Sequence, residues 1–356
     1  MKILSLRVLE FGPLPLVKTA YPAETVFVSI GADPVADRSD TSYDLSPDKV
    51  RRTLTLLNDP TFDAIFVSRP STQRRWYNTL VRLIFNRRIA ERGVPALRVF
   101  GDRLLRLGAK APLIVFDPSD ATFAASDAIW LWRKAAVVFK RELPLDPWQM
   151  FALTVHGDLP TPRFRRKARY RALVAKARPM SLGLTASLQA KVSPEAPEKT
   201  VDIFFAGHTL GNSWLREKGT EELAALRASD PSITIDVAEE MMPHDAFLRR
   251  CARARLVWSP AGLGHDTFRH YEAAVCGSVP LISRPTILQY APFKDGDTAF
   301  FSDPEGQGLT AAVRRALDQR GALGAMGMAA RAHVLTHHTV RARVDHMLAA
   351  VSAGGV

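Results

Sequence analysis

Apolar residues in this chain come in short runs rich in branched side chains, and longer amphipathic stretches separate them. In the first half, Ile3–Leu9, Thr25–Ile30, Ala64–Ser68, Pro112–Phe116 and Ala136–Lys140 read as strands. Helical spacing predicts helices over Pro47–Leu57, Ser71–Arg92 and Asp146–Leu153, with Trp76, Leu80, Leu83 and Ile84 forming the apolar face of the second. A strongly basic helical segment is predicted over Arg163–Arg178, and the polar, proline-rich Val192–Thr200 then interrupts the pattern. The alternation restarts with strands Val201–Ala206, Ile233–Val237, Leu256–Trp258 and Val279–Ile282, and a short one around Thr298–Phe301. Helices are expected at Asn212–Ala228, Pro243–Ala252, Gly308–Gln319, Ala322–Leu335 and Val340–Val351, with another between the last two long strands. Strands alternating with helices predict doubly wound parallel sheets. A chain of 356 residues exceeds one ordinary core. The expected architecture is α/β, with two Rossmann-like domains facing a cleft. Their expected limits are 1–180 and 200–335, joined by a linker over 181–199, with a last helix in 336–356 reaching back to the N-terminal domain.

One segment carries more chemistry than the rest. The strand ending at Trp258 runs into Ser259-Pro-Ala-Gly-Leu-Gly264, then a helix, then Val279–Ile282. In such a crossover the helix N-terminus and its unpaired amides face whatever lies beyond the strand ends, which favours an anion. Asp266, Arg269 and Glu272 recur every third residue and form one polar stripe, while Phe268, Tyr271 and Val275 form an apolar one. A guanidinium and a carboxylate one turn apart beside an anion-binding loop suit a nucleotide, with Arg for phosphate and Glu for ribose hydroxyls. Asp266 is either the N-cap of the helix or a ligand contact. Gly262, His265 and Thr267 complete this side of the expected site. A second strand–turn–helix, Phe204 to Gly219, offers Gly207 and His208 in the turn and Arg216 and Lys218 on the helix.

These residues resemble the donor-nucleotide site of GT-B-fold glycosyltransferases, and within that group the exostosin-like enzymes. The likeness rests on Ser259-Pro260, Gly262, Phe268-Arg269, Glu272-Ala273 and Gly277-Ser-Val-Pro-Leu-Ile282, and it is looser from Thr200 onward. The resemblance implies that Glu272 holds the ribose of a sugar nucleotide. It implies diphosphate contacts for Arg269, Gly207 and the Arg216/Lys218 pair, a UDP- or GDP-linked donor, and no required cofactor. Retaining members of the broader group carry a further glutamate eight residues upstream, where this chain has Gly264. That departure favours the exostosin-like variant and an inverting displacement.

Charge changes the picture of the first half. Residues 1–180 hold 30 Lys+Arg against 17 Asp+Glu, whereas the remainder holds 18 against 19, so the whole excess of +12 has its origin before residue 181. An anionic partner is expected there: a glycan, a lipid-linked acceptor or an acidic membrane surface, ahead of nucleic acid. Arg163–Arg171 places six cations around Phe164 and Tyr170, a pattern that suits an anionic bilayer. No apolar run approaches the ~20 residues of a membrane span. Cys251 and Cys276 read as buried thiols, and the expected location is cytoplasmic, at the inner face of a membrane. Nine histidines lack ligand spacing with cysteine or carboxylates, so no metal is expected. A general base should stand at a strand end in the first domain, where Asp120, Asp117 and Glu142 are the candidates in that order. Two other readings compete with glycosyl transfer: a sugar-nucleotide epimerase of the same fold, and a non-catalytic basic protein that binds membrane or nucleic acid.

Overall fold

The protein is described here by a computed structural model covering residues 6–12, 15–30, 41–43, 47–68, 104–106, 108–124, 128–156, 159–164, 168–191, 197–207, 214–238, 240–303 and 308–352. The expected helix Ser71–Arg92 and site residue His208 lie outside the described residues. The chain divides into two units, Met1–Met180 with Val344–Val356, and Ser181–Arg343.

The first unit is built on a seven-stranded parallel sheet. Its strands are β1 (Val8–Gly12), β2 (Thr25–Ile30), β3 (Thr41–Tyr43), β4 (Ala64–Ser68), β5 (Leu113–Asp117), β6 (Val137–Lys140) and β9 (Ala177–Pro179), in the order β3-β2-β1-β4-β5-β6-β9. β1, β5 and β6 are buried along their whole length, as strands covered on both faces require. Helices α1 (Leu16–Ala20), α2 (Pro47–Asn58), α3 (Ile129–Lys134) and α4 (Ala168–Lys176) accompany the sheet. Buried Glu10 on β1 explains where α1 starts: its carboxylate accepts the backbone N–H groups of Leu16, Val17 and Lys18 at 2.7–2.9 Å.

Two expectations need correction here. Asp146–Leu153 is a 3₁₀ turn, Pro147–Phe151, running into β7 (Ala152–His156), and β7 pairs antiparallel with β8 (Leu159–Phe164). The basic segment is therefore a strand at Arg163, and its helix begins only at Ala168. Pro160 and Pro162 exclude a helix interior, because each lacks an N–H and clashes with the preceding turn.

In the second unit β10 (Val201–Phe205), β11 (Ile235–Val237), β12 (Ala254–Ser259), β13 (Val279–Ser283) and β14 (Phe300–Ser302) form a parallel sheet ordered β11-β10-β12-β13-β14. Its helices are α5 (Ala186–Lys191), α6 (Trp214–Ser229), α7 (His244–Arg253), α8 (Phe268–Val275), α9 (Gly308–Leu317) and α10 (Leu323–His337). On one face Phe205, Leu256, Trp258, Leu281 and Phe300 pack against Leu223, Leu226, Val313 and Ala316. Elsewhere Ile282 packs with Tyr271, Ala274, Val275, Leu184, Leu188, Phe293 and Val334. The segment from Ser181 through α5 thus inserts Leu184 and Leu188 into this core. The last helix, α11 (Val340–Ser352), counts with the first unit from Val344 on; there Tyr21 donates its hydroxyl hydrogen to Asp345, and His346 meets Phe139 edge-on at 5.8 Å.

Close packing fixes several small residues. Gly277 ends α8 in the left-handed conformation (φ 73°), with its N–H on Ala274 O at 2.9 Å and that of Ser278 on Ala273 O at 3.1 Å. Ala291 also takes a positive φ of 43°, a conformation that strains an alanine. Its carbonyl accepts Nε2 of His333 at 2.9 Å and of His338 at 3.0 Å, which hold it there. His338 is buried beneath Tyr271 and Phe293, with Nδ1 2.8 Å from Ser181 Oγ, and burial drives its pKa down to about 3.

Inside α6, a methyl on Gly219 would run into the Trp258 indole, whereas one on Gly324 in α10 meets nothing within 4 Å. Alanine improves helix propensity by at most ~1 kcal/mol at either site, but overpacking costs about 1–3 kcal/mol. Gly219→Ala should therefore lower stability in chemical denaturation, while Gly324→Ala should leave it equal or raise it. A folded-state pKa depressed below the ordinary value of 6.5 means that His338 stabilises the protein above that value and that the contribution is lost as the pH falls toward 3. Urea midpoints measured between pH 7 and pH 4 should fall more steeply for the wild type than for His338→Gln.

Candidate active site

In the second unit the strand order reverses between β10 and β12, and this switch point is where open α/β sheets bind ligands. Two glycine turns leave it, Gly207 after β10 and Gly262 after β12. Each turn is covered by an arginine from the other crossover. A methyl on Gly207 would stand 2.9 Å from Nη2 of Arg269, and one on Gly262 would stand 2.9 Å from Nη2 of Arg216. Arg216 belongs to the first turn of α6 and Arg269 to the first turn of α8. Both guanidinium groups therefore project from helix N-termini, where anions are favoured.

The pair is electrostatically uncomfortable. Arg269 lies with Cζ 5.6 Å from the Phe205 ring centroid, and its buried Nε makes no hydrogen bond among the described residues. Burial holds its pKa below the usual arginine value, the nearby Arg216 charge pushes the same way, and Glu272 opposes both. Burial also lowers that of Arg216. Two half-buried cations at two glycine turns have the charge and geometry to suit a multiply charged anion. Glu272, one turn beyond Arg269 on α8, turns to His244 at the start of α7, with Oε1 2.8 Å from Nε2. His244 was not among the residues the sequence singled out, because no local spacing links positions 28 apart.

The loop between β12 and α8 is anchored from beneath. His270 is buried, its Nε2 donating to His265 O at 2.8 Å while Nδ1 meets Ser259 Oγ at 2.7 Å. Thr267 is the N-cap without a side-chain cap bond; its Oγ1 lies 3.2 Å from Ser259 Oγ. Asp266 corrects two expectations. It precedes the helix and is buried, accepting Leu182 N–H at 2.6 Å and the Tyr271 hydroxyl. It is neither N-cap nor part of an exposed stripe. Phe268, by contrast, is exposed and leaves the apolar face to Tyr271 and Val275. His265 places Nε2 2.7 Å from Thr286 Oγ1, and burial lowers its pKa. Lys218 points its ammonium at the Trp214 ring, 5.1 Å away, rather than joining the two guanidinium groups.

In the first unit, β5 and β6 end on the three carboxylate candidates. Asp117 is buried, with Oδ2 2.9 Å from Lys140 Nζ and Oδ1 accepting Ser119 N and Oγ at 3.1 and 2.7 Å, so it is engaged in turn chemistry and a buried ion pair. Glu142 is buried, with Oε1 3.5 Å from Arg141 Nε. Arg141 also bonds the carboxylate of Asp120, whose side chain is 48% exposed and the most accessible of the three.

Residues 207–349 match the family described as "Glycosyl transferase-like". That match lies almost wholly in the second unit, the unit that carries the two glycine turns. No curated protein matches the chain. Among solved structures, the glycosyltransferase from Rickettsia africae ESF-5 aligns with a TM-score of 0.53 at 9% identity, covering 98% of this chain and 100% of the other. Anabaena Alr3699/HepE in complex with UDP-glucose aligns with a TM-score of 0.52 at 10% identity over 98% and 99% of the two chains. Its complex with UDP gives 0.53 at 11% identity over 98% and 100%. At these identities the likeness is one of fold, and the fold of this protein is α/β of the GT-B type.

Asp266→Ala takes the Asp266 acceptor from the part-buried Leu182 amide and from the buried Tyr271 hydroxyl, at about 1–3 kcal/mol each. The variant should melt lower than the wild type by differential scanning calorimetry. If Asp266 were a ligand contact alone, its melting temperature would stay the same.

Proposed function

We propose that this protein is a glycosyltransferase that moves a sugar from a nucleoside-diphosphate donor to a hydroxyl acceptor, with Gly207, Arg216, Gly262 and Arg269 gripping the diphosphate and Glu272 the ribose. The observation that carries this reading is the crossed pair of guanidinium groups, each seated on the other's glycine turn at the sheet's switch point. A diphosphate supplies the charge that relieves their mutual repulsion, and in the transition state the same two groups stabilise the departing phosphate oxygens. UDP is favoured over GDP as the nucleotide because the structural neighbour HepE has been solved with UDP and with UDP-glucose.

The chemistry is taken as an inverting displacement of the exostosin-like kind, in keeping with Gly264 at the position where retaining relatives carry a second glutamate. A base removes the acceptor proton, the acceptor oxygen bonds to the anomeric carbon, and the bond to the diphosphate breaks. Asp120 is the favoured base, since Asp117 and Glu142 are buried and committed to other partners. The excess positive charge before residue 181 favours an anionic or lipid-linked acceptor met at the inner face of a membrane.

Melting the protein with UDP, GDP and their sugars tests the donor assignment. Saturation at a hundred times the Kd stabilises by ~2.7 kcal/mol, a readily measured rise in Tm. Arg269→Ala should weaken diphosphate binding by about 10–100-fold, the worth of a hydrogen bond to a charged group. Wild-type affinity in that variant, or no stabilisation by any nucleoside diphosphate, would count decisively against the reading. UDP release that requires an acceptor separates transfer from epimerisation.

A further inference from the structure

Resting on the reading of Glu272 as the ribose ligand, we infer that His244 is a positioning residue for donor binding: its imidazole holds the Glu272 carboxylate for the ribose diol and away from Arg269. The two side chains come from different helices, α7 and α8, and meet with Nε2 2.8 Å from Oε1. The contact requires a proton on Nε2, so the imidazole donates and the carboxylate accepts.

Three observations give the contact a direction. The His244 ring lies nearly parallel to Phe247 one turn along α7, with centroids 6.2 Å apart at 12°. Phe247 is itself buried against Phe204 of β10, at 5.8 Å. The imidazole is thus aimed from the core outward. Asp245, the neighbouring carboxylate on α7, is taken by Lys191 at 2.8 Å and does not draw the imidazole away from Glu272. The competitor for Glu272 is Arg269, three residues earlier on α8. Glu272 already favours that guanidinium's charge, and side chains three apart on a helix readily pair. A carboxylate swung onto Arg269 would neutralise the cation that the diphosphate needs and would remove the acceptor that the ribose needs. His244 occupies Oε1 and opposes that swing, while the second carboxylate oxygen can accept from a diol.

Titration calorimetry of the full chain with UDP and with 2′,3′-dideoxy-UDP tests the inference. His244→Ala should weaken UDP roughly tenfold, the loss expected for a charge-assisted hydrogen bond. His244→Gln, whose side-chain amide can donate from a similar place, should recover most of that affinity. Dideoxy-UDP should lose less affinity than UDP in His244→Ala, since it lacks the hydroxyls that Glu272 accepts from and keeps only the diphosphate contact with Arg269. The side chain of His244 is 46% exposed, so the variants should keep the wild-type fold. An equal loss for UDP and dideoxy-UDP overturns the inference. So does unchanged UDP binding in His244→Ala when Glu272→Gln weakens it. If Glu272→Gln itself leaves UDP affinity intact, the ribose assignment falls first and this inference falls with it.

Discussion

Two like charges held close to one another are the constraint on which the second unit is organised. Arg216 and Arg269 repel, burial removes the water that would screen them, and each sits where a side chain larger than hydrogen on Gly262 or Gly207 would collide with it. A protein tolerates such an arrangement when a ligand supplies the missing charge. On the proposed reading, a diphosphate would relieve that repulsion on binding, and the same two groups would stabilise the charge that grows on the leaving group.

Holding that arrangement requires rigidity behind it, and the buried polar residues provide it. Asp266 ties the entry of α8 to Leu182 and Tyr271, and His270 ties the loop to Ser259 and to the carbonyl of His265. At the far end of α8, the left-handed Gly277 turns the chain straight into β13, and Gly327 of α10 comes too close to its carbonyl to bear a side chain. α8 is therefore fixed at both ends. Arg269 and Glu272 inherit their positions from those anchors more than from their own contacts.

The sequence revealed what depends on near neighbours. The strands β2, β4, β12 and β13 stand out as branched apolar runs, and the turn–helix that follows β12 declares itself by its glycines. It misled where local signals conflicted. Asp146-Pro147 looks like a helix start and the arginines around 163 look helical, yet Thr154, Val155, Pro160 and Pro162 make that stretch a hairpin. Site geometry was partly legible: Gly207, Arg216, Gly262 and Arg269 could each be named, but not that the two arginines exchange turns, since 53 residues separate them. Asp266 was misjudged for the same reason. Its deciding partner, the amide of Leu182, lies 84 positions away. His244 carried no signal at all until α7 and α8 were seen side by side.

The chain enters the second unit at Ser181 and leaves it at Arg343, and these two residues touch: a guanidinium N–H of Arg343 donates to the carbonyl of Ser181 at 3.2 Å. The first unit is therefore written in two pieces around the second, and its contacts from Tyr21 to Asp345 and from Phe139 to His346 join one piece to the other. During synthesis on a ribosome the interior unit has all its residues first. The surrounding one waits, lacking its closing helix, until the residues from Val344 onward have followed.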